Sequence, residues 1–399
     1  MPNLSIGLKE RLKSYKEVRK RTGEYKMPVK GTALLREINQ KNILDYIRTH
    51  EPCSRKEIAQ ALKVSKNTVS LIVEQLLKQN MIAESGIKEP IGAGRPKVLL
   101  RLRPDALQTI GLMVQQDNIS YIVLDFQLNE LEEGSVSIKS QSVLDEVINL
   151  SKNLASRFQK AKGIGIAIPG IVDPTRGYVY QSANLNWKDV DLKKILSTEV
   201  KVPVEVFNNV KIAAERGKET VKPKLRSSFF YIRIGEGIGG AYVADNQVMN
   251  GNSWTAGEIG HLSVASHGPI CKCGQKGCLE KIISMEAFRE FLQSLSYTPS
   301  DKNDMDLTKL AKQDHRVHQE IEEYGNYLGR ALVQVIHLLN PQEIVIEAPY
   351  NQIYEFQEKT ISSAKQRTLS DAFAQTKIVF SKEFYSPAKG AAVSILLNS

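Results

Sequence analysis

Long apolar runs are absent from this chain of 399 residues. A membrane-spanning helix needs roughly 20 consecutive apolar residues, and no stretch approaches that. The N-terminus also lacks the apolar core of a secretory signal. A cytoplasmic location with no membrane partner is therefore expected. Cysteine is scarce, with four in the whole chain. Without export, so few thiols exclude a disulfide-stapled scaffold. Compositional extremes are missing too: the hydrophobic fraction is 42% and the charged fraction 25%. Those values describe an ordinary globular protein, too long for one small core.

What the first quarter lacks is acid. Residues 1–103 hold 22 Lys and Arg against 10 Asp and Glu, whereas the remaining 296 hold 32 against 34. The whole excess behind the net charge of +10 lies in that quarter. Such asymmetry points to a polyanionic partner for one part of the chain only. Residues 1–30 are polar and basic and read as a flexible arm.

From Thr32 to His50, Leu34, Leu35, Ile38, Ile43, Leu44 and Ile47 recur at roughly helical spacing, and Pro52 ends the run. Ser54 with Glu57 three residues on is a capping box that starts a second helix carrying Ile58, Ala59 and Leu62. After Lys63-Val64, Ser65 caps a third helix with Val69, Ile72, Val73, Leu76 and Leu77 on one face. This spacing predicts a helix-turn-helix whose third helix presents Lys66, Asn67, Thr68 and Ser70 to a DNA major groove. Residues 81–85 and 97–102 read as two strands joined by a loop that ends Gly92-Ala93-Gly94-Arg95-Pro96-Lys97. The whole, residues 31–103, is a winged helix-turn-helix, with Arg95 and Lys97 placed at the minor groove or backbone.

Three of the four cysteines fall within eight residues, Cys271-Lys272-Cys273-Gly274-Gln275-Lys276-Gly277-Cys278, and His261 lies ten positions upstream. One imidazole and three thiolates make a closed tetrahedral set for structural zinc. Glu258, in Gly257-Glu258-Ile259-Gly260-His261, and Glu280 flank the ligands. A metal there would pin two carboxylates close together and brace a polar ligand pocket.

The stretch Gly257–His261 followed by Cys271-x-Cys273-Gly-x-x-Gly-Cys278-Leu279-Glu280 resembles the ROK family of sugar kinases and sugar-responsive repressors. The Gly-Arg-Pro loop resembles the repressor members, since the kinases lack that first domain. From residue 105 on, alternating strand and helix patterns make an α/β body. The resemblance implies two ribonuclease-H-like lobes of the actin and hexokinase type. Lobe one spans about residues 105–207 plus 387–399, lobe two about 208–386, and the sugar lies between them. It also implies that Gly170, Asn184, Asn208, Asn209, Glu258, His261 and Glu280 line the sugar site, with His261 shared between zinc and a sugar hydroxyl. A continuous helix is expected over 280–296.

The chain departs from the kinase pattern at three places. Asn209 stands where the family has the aspartate base, and an amide cannot take a proton at neutral pH. The first phosphate loop, Gly-x-Asp-x-Gly-Gly-Thr in the family, reads Gly111-Leu112-Met113-Val114-Gln115-Gln116-Asp117. The turn that faces adenosine in the family is Glu347-Ala348-Pro349, and only Gly235-Glu236-Gly237-Ile238-Gly239-Gly240 remains glycine-rich. The expectation is therefore a repressor without enzyme activity, acting as a homodimer or homotetramer. The overall resemblance implies that a monosaccharide (xylose, or a glucose-like sugar) releases it from operator DNA. The rival reading is an ATP-dependent sugar kinase with an appended DNA-binding domain. A third is an activator or constitutive DNA-binding protein with a vestigial pocket.

Overall fold

A computed structural model describes residues 31–88, 96–139, 142–220, 228–297, 306–382 and 385–397. The basic arm of residues 1–30 and Arg95 lie outside the described residues. The rest falls into two compact units that divide between Leu102 and Arg103. No helix among the described residues is long and apolar enough to cross a membrane.

The first unit runs α1 (Gly31–His50), β1 (Cys53–Ser54), α2 (Arg55–Leu62), α3 (Lys66–Lys78), β2 (Ile82–Lys88) and β3 (Lys97–Leu102). The expected capping box is present. The Ser54 N–H donates to Glu57 at 2.8 Å and the Glu57 N–H donates to Ser54 Oγ at 3.4 Å. Ser65 Oγ accepts from the Thr68 N–H at 3.1 Å and starts α3. Ile43, Ile47, Ile58, Val69, Ile72, Val73 and Leu76 are all within 1% of full burial, and Leu100 and Leu102 close the core from β3. The two-residue strand β1, unmarked in the sequence, pairs with β3 and makes a three-stranded sheet in the order β1-β3-β2.

The second unit contains two five-stranded sheets of one plan. The first is built from β4 (Gln108–Val114), β5 (Asn118–Asp125), β6 (Glu130–Ser137), β7 (Ala161–Ile168) and, later in the chain, β11 (Val204–Asn208), in the order β11-β7-β4-β5-β6. A small sheet of β8 (Ile171–Asp173), β9 (Tyr178–Ser182) and β10 (Trp187–Val190) follows β7. The second large sheet holds β12 (Phe229–Ile234), β13 (Ile238–Ala244), β14 (Gln247–Val248), β15 (Glu343–Glu347) and β16 (Lys377–Phe380), in the order β14-β13-β12-β15-β16. Counted within each sheet, both read 3-2-1-4-5, with the second strand antiparallel to the first. This is the ribonuclease-H-like order expected of each lobe.

Helices α4 (Val143–Arg157) and α5 (Leu192–Glu199) belong to the first lobe, and Val147, Leu154, Leu192 and Leu196 join its core. Between the lobes lies α6 (Asn209–Thr220). The second lobe is covered by α7 (Leu279–Ile283), α8 (Met285–Ser294), α9 (Leu307–Gln313), α10 (His315–Leu339), α11 (Tyr354–Arg367) and α12 (Ser370–Gln375). The helix expected over 280–296 is broken at Ser284. That residue takes extended backbone, and its Oγ accepts from the Ala287 N–H at 3.2 Å, so a serine inside the run caps a new helix. The final helix, α13 (Pro387–Leu397), crosses the free face of the first sheet.

That crossing is a contact of main chains. A Cβ on Gly111 would meet the Ala388 carbonyl oxygen at 1.9 Å, and one on Gly165 the Ala391 carbonyl oxygen at 2.4 Å. Gly111→Ala must push α13 off the sheet, which places it among overpacking changes costing about 1–3 kcal/mol. Urea melts should show that loss, and an unchanged midpoint would contradict this seating of α13.

Candidate functional site

In the first unit, Lys66, Asn67 and Leu71 are exposed on α3, and Ser70 is half-buried beside them. Leu71, 64% exposed, lies four residues after Asn67 and so on the same face. An exposed leucine on this otherwise polar face was not among the residues that the helix-turn-helix spacing singled out. The first turn of α3 contains no acidic side chain, so its N-terminal N–H groups remain favourable to phosphate. Two expected contacts are partly committed within the unit. Thr68 Oγ1 hydrogen-bonds Ser65 Oγ at 2.8 Å, and Lys97 lies 3.8 Å from Glu57.

In the second unit, β11 delivers Asn208 to the start of α6. Its Nδ2 donates to the Gly170 carbonyl at 2.7 Å, and its Oδ1 accepts from the Lys211 N–H at 2.9 Å. The side chain therefore joins the β7–β8 turn to the helix. Asn209 Oδ1 accepts from the Val210 N–H at 2.9 Å, which leaves its amide nitrogen available. Gly170 has φ 129°, and a Cβ there would meet the Gln181 carbonyl oxygen at 2.2 Å. Asn184 is exposed in the turn between β9 and β10.

On the other wall, Glu258 precedes a 3-10 turn, Ile259–His261. Gly257 has φ 95°, and a Cβ there would fall 2.3 Å from the Gly240 carbonyl oxygen. This close approach to β13 seats the turn. Glu280, in the first turn of α7, accepts the Ile238 N–H at 2.8 Å with Oε2. One wall thus collects Glu258, His261 and Glu280. Burial raises the pKa of Glu258, the nearby Glu280 adds to the rise, and His261 and Lys211 oppose it. Lys211, which the motif comparison passed over, has its pKa lowered by burial while Glu258 acts in the other direction.

The ligand atoms of His261, Cys271, Cys273 and Cys278 all lie within 4.8 Å of one another. Cys271 Sγ is 3.7 Å from His261 Nδ1, and Cys273 Sγ is 3.5 Å from Cys278 Sγ. The edge of a tetrahedron with metal–sulfur bonds of about 2.3 Å is about 3.8 Å. The sulfurs are too far apart for a disulfide, whose bond is about 2.05 Å. The donor set therefore fits a metal ion. Burial pushes the Cys278 thiol up to about 12, so a cation is what would hold it as thiolate. With Nδ1 turned to the sulfurs, His261 keeps Nε2 for another partner.

A second polar cluster closes the far ends of β12 and β15. Glu347 accepts from Tyr231 Oη at 2.7 Å and from the Tyr385 N–H at 3.0 Å with Oε2, and Oε1 lies 3.4 Å from Arg233 Nε. Tyr231 and Tyr385 are 0% and 3% exposed. At the β4–β5 turn, the Gln115 N–H donates to the Asn118 carbonyl at 2.9 Å, a tight hairpin. Met113 is buried in an apolar cluster with Ile122, Ala167 and Ile212.

The ROK family model matches residues 109–396. The chain belongs to the ROK family. Residues 37–85 match the MarR family model, from within α1 through α2 and α3 to part of β2. The xylose repressor of Bacillus spizizenii is 30% identical over 356 residues, 88% of this chain and 91% of that protein. The crystal structure of a ROK family transcriptional regulator, a homologue of the E. coli MLC protein, superposes with a TM-score of 0.78 at 22% identity, covering 91% of this chain and 96% of that one. A ROK hexokinase from Thermus thermophilus superposes at 0.60 with 22% identity, covering 99% of its own length but 73% of this chain.

The raised pKa of Glu258 carries a stability signature. A carboxyl that is harder to ionise when folded loses stability as pH rises above its unfolded value, and below that value the penalty is absent. Glu258→Gln should therefore melt above the parent chain at pH 7.5, with the gap shrinking toward the ordinary carboxylate range. A constant gap across thermal melts at pH 7.5, 6 and 4.5 would contradict the half-buried, desolvated placement.

Proposed function

We propose that the chain is a sugar-responsive transcriptional repressor. Residues 31–103 bind operator DNA, residues 105–399 bind a monosaccharide in the cleft between lobes, and the sugar releases the operator. One observation carries the reading: a helix-turn-helix unit with an exposed Lys66-Asn67-Ser70-Leu71 face shares its chain with a ROK body. Xylose is the first sugar to test, because the Bacillus xylose repressor matches along nine-tenths of its own length. Glu258, Glu280 and the Nε2 of His261 hold hydroxyls, with Asn209 and Asn184 completing the ring of partners. Asn208 and Gly170 shape the wall, since Asn208 is already spent on the Gly170 carbonyl and the start of α6.

Phosphoryl transfer is disfavoured by the same geometry. Asn209 offers no base. The Glu347 carboxylate is taken up by Tyr231, Arg233 and Tyr385 beside the turn that faces adenosine in kinases. Met113 fills with apolar volume the position of a family carboxylate. Asp117 adds negative charge where phosphate would approach.

The metal is zinc, which three thiolates and one imidazole favour over harder cations. Its work is to tie the 263–278 loop to His261 and so to hold Glu258 and Glu280 together. Cys273→Ser should cut zinc below one per chain and weaken sugar binding with it, checked by metal analysis and calorimetry on one preparation. Full sugar affinity without zinc would remove this role.

The function is tested with a duplex selected from a random library and titrated with and without D-xylose. Operator affinity should fall about 5- to 150-fold with the sugar, and by linkage the operator should weaken xylose binding by the same factor. Tighter operator binding with xylose would make the sugar a co-repressor. Sugar-dependent ATP consumption by the parent chain would make it a kinase.

A further inference from the structure

The first turn of α6 carries one group that the sugar reading leaves unused. Lys211 is 7% exposed, and its Nζ donates to the Trp254 carbonyl at 2.7 Å and the Asn250 carbonyl at 3.5 Å. Both carbonyls belong to a single loop, residues 249–256, which runs from β14 toward Glu258. The Asn250 carbonyl also accepts the Ala256 N–H at 3.2 Å, so the loop is pinched at its base and held by the ammonium from within.

That hold acts against strain. Trp254 has φ 63°, the left-handed region, which a bulky side chain enters only where its surroundings impose it. The Trp254 carbonyl is the oxygen that Lys211 Nζ holds at 2.7 Å. A cavity of about 80 Å³ opens beside Lys211, lined from the first lobe by Val172 and Pro174 and from the second by Val248 and Asn250. Three residues before Lys211, Asn208 grips the Gly170 carbonyl of the first lobe. One helical turn therefore fastens both walls of the cleft, by an amide on one side and an ammonium on the other.

We propose that Lys211 is a positioning residue for the effector site. Its ammonium holds the 249–256 loop, keeps Trp254 left-handed, and sets Glu258 beside His261 and Glu280 before any ligand arrives. A lysine is suited to this, since its three donors can be shared among backbone carbonyls and Glu258 lies close enough for its charge to act on the ammonium. The ligand arm of the test rests on the sugar-binding reading, and the loop arm does not.

The chain has two tryptophans, so a Trp187→Phe background leaves Trp254 as the sole reporter. In that background Lys211→Met keeps the apolar stem and removes the donors. Without ligand, it should shift Trp254 emission and make the indole more accessible to acrylamide. D-xylose should bind at least tenfold more weakly, while zinc content and operator affinity without xylose stay at the parent values. Lys211→Arg, which can also span two carbonyls, should recover most of both effects. Unchanged emission and quenching in Lys211→Met overturns the proposal, whatever xylose does. A loosened loop with undiminished xylose affinity overturns the effector role. If the parent chain binds no xylose yet Trp254 loosens in Lys211→Met, the positioning stands and the sugar reading fails. Should the methionine variant not fold, Lys211→Gln, which keeps fewer donors, must still show a partial change in quenching.

Discussion

Main-chain contact between helices and sheet is the constraint on which the second unit depends. The last helix, α13, lies on the first sheet where Gly111 and Gly165 leave no side chain in the way. It also meets α6 closely, since a Cβ on Gly390 would fall 2.8 Å from the Ile212 carbonyl oxygen. Helix α6 in turn serves both lobes. Ile212 joins the apolar cluster of the first, while Val210, Ala213 and Ala214 join that of the second. Small residues at each contact let backbones approach, and such packing resists gradual deformation. Motion is then expected as rigid rotation of lobes about these two helices.

The same helix explains why the cleft is polar yet ordered. Asn208, Asn209 and Lys211 all stand in or just before its first turn, so the seat of α6 decides where three cleft groups point. Asn208 and Lys211 are consumed in holding the walls. Glu280 spends one oxygen on a backbone N–H and keeps the other. Glu258 is half-buried, and that desolvation raises its pKa. A site that binds a neutral polyol needs unspent acceptors, and those acceptors are stable only because neighbouring groups are already satisfied. The loop of residues 263–278 brings three cysteines to His261, a donor set whose spacing could hold a metal ion.

Fold alone does not separate the two activities found among ROK proteins. The hexokinase body and the regulator body superpose on the same lobes, and what differs is local. Here the ends of β12 and β15 are filled by a half-buried carboxylate, an arginine and two tyrosines. The first hairpin turn presents glutamine and aspartate in place of glycine and threonine. These features lie at the ends of β12 and β15 and at the first hairpin, apart from the wall that carries Glu258, His261 and Glu280.

Much of the chain was legible locally. Ser54, Glu57 and Ser65 announce the helix-turn-helix because a cap is satisfied within four residues. The spacing of Cys271, Cys273 and Cys278 announces a metal loop because its geometry closes over eight residues. Continuous apolar runs such as those of β4, β7 and β12 made the α/β alternation readable, whereas β14 is two residues long and leaves no pattern. Ser284 hid inside an apolar helical pattern, and only the extended backbone there revealed that it starts a new helix. The short strands β8 to β10 alternate too briefly to register and exist because they pair with each other. Lys211, Trp254 and the Glu347 cluster were invisible for a further reason. Their partners lie 38 to 116 residues away along the chain. A lysine or glutamate in a helix or strand reads as solvated until the fold encloses it. Local hydrogen bonds and fixed spacings are therefore the sequence's own determination, while the commitment of each buried charge belongs to the tertiary structure, because desolvation and partnership arise only when distant segments meet.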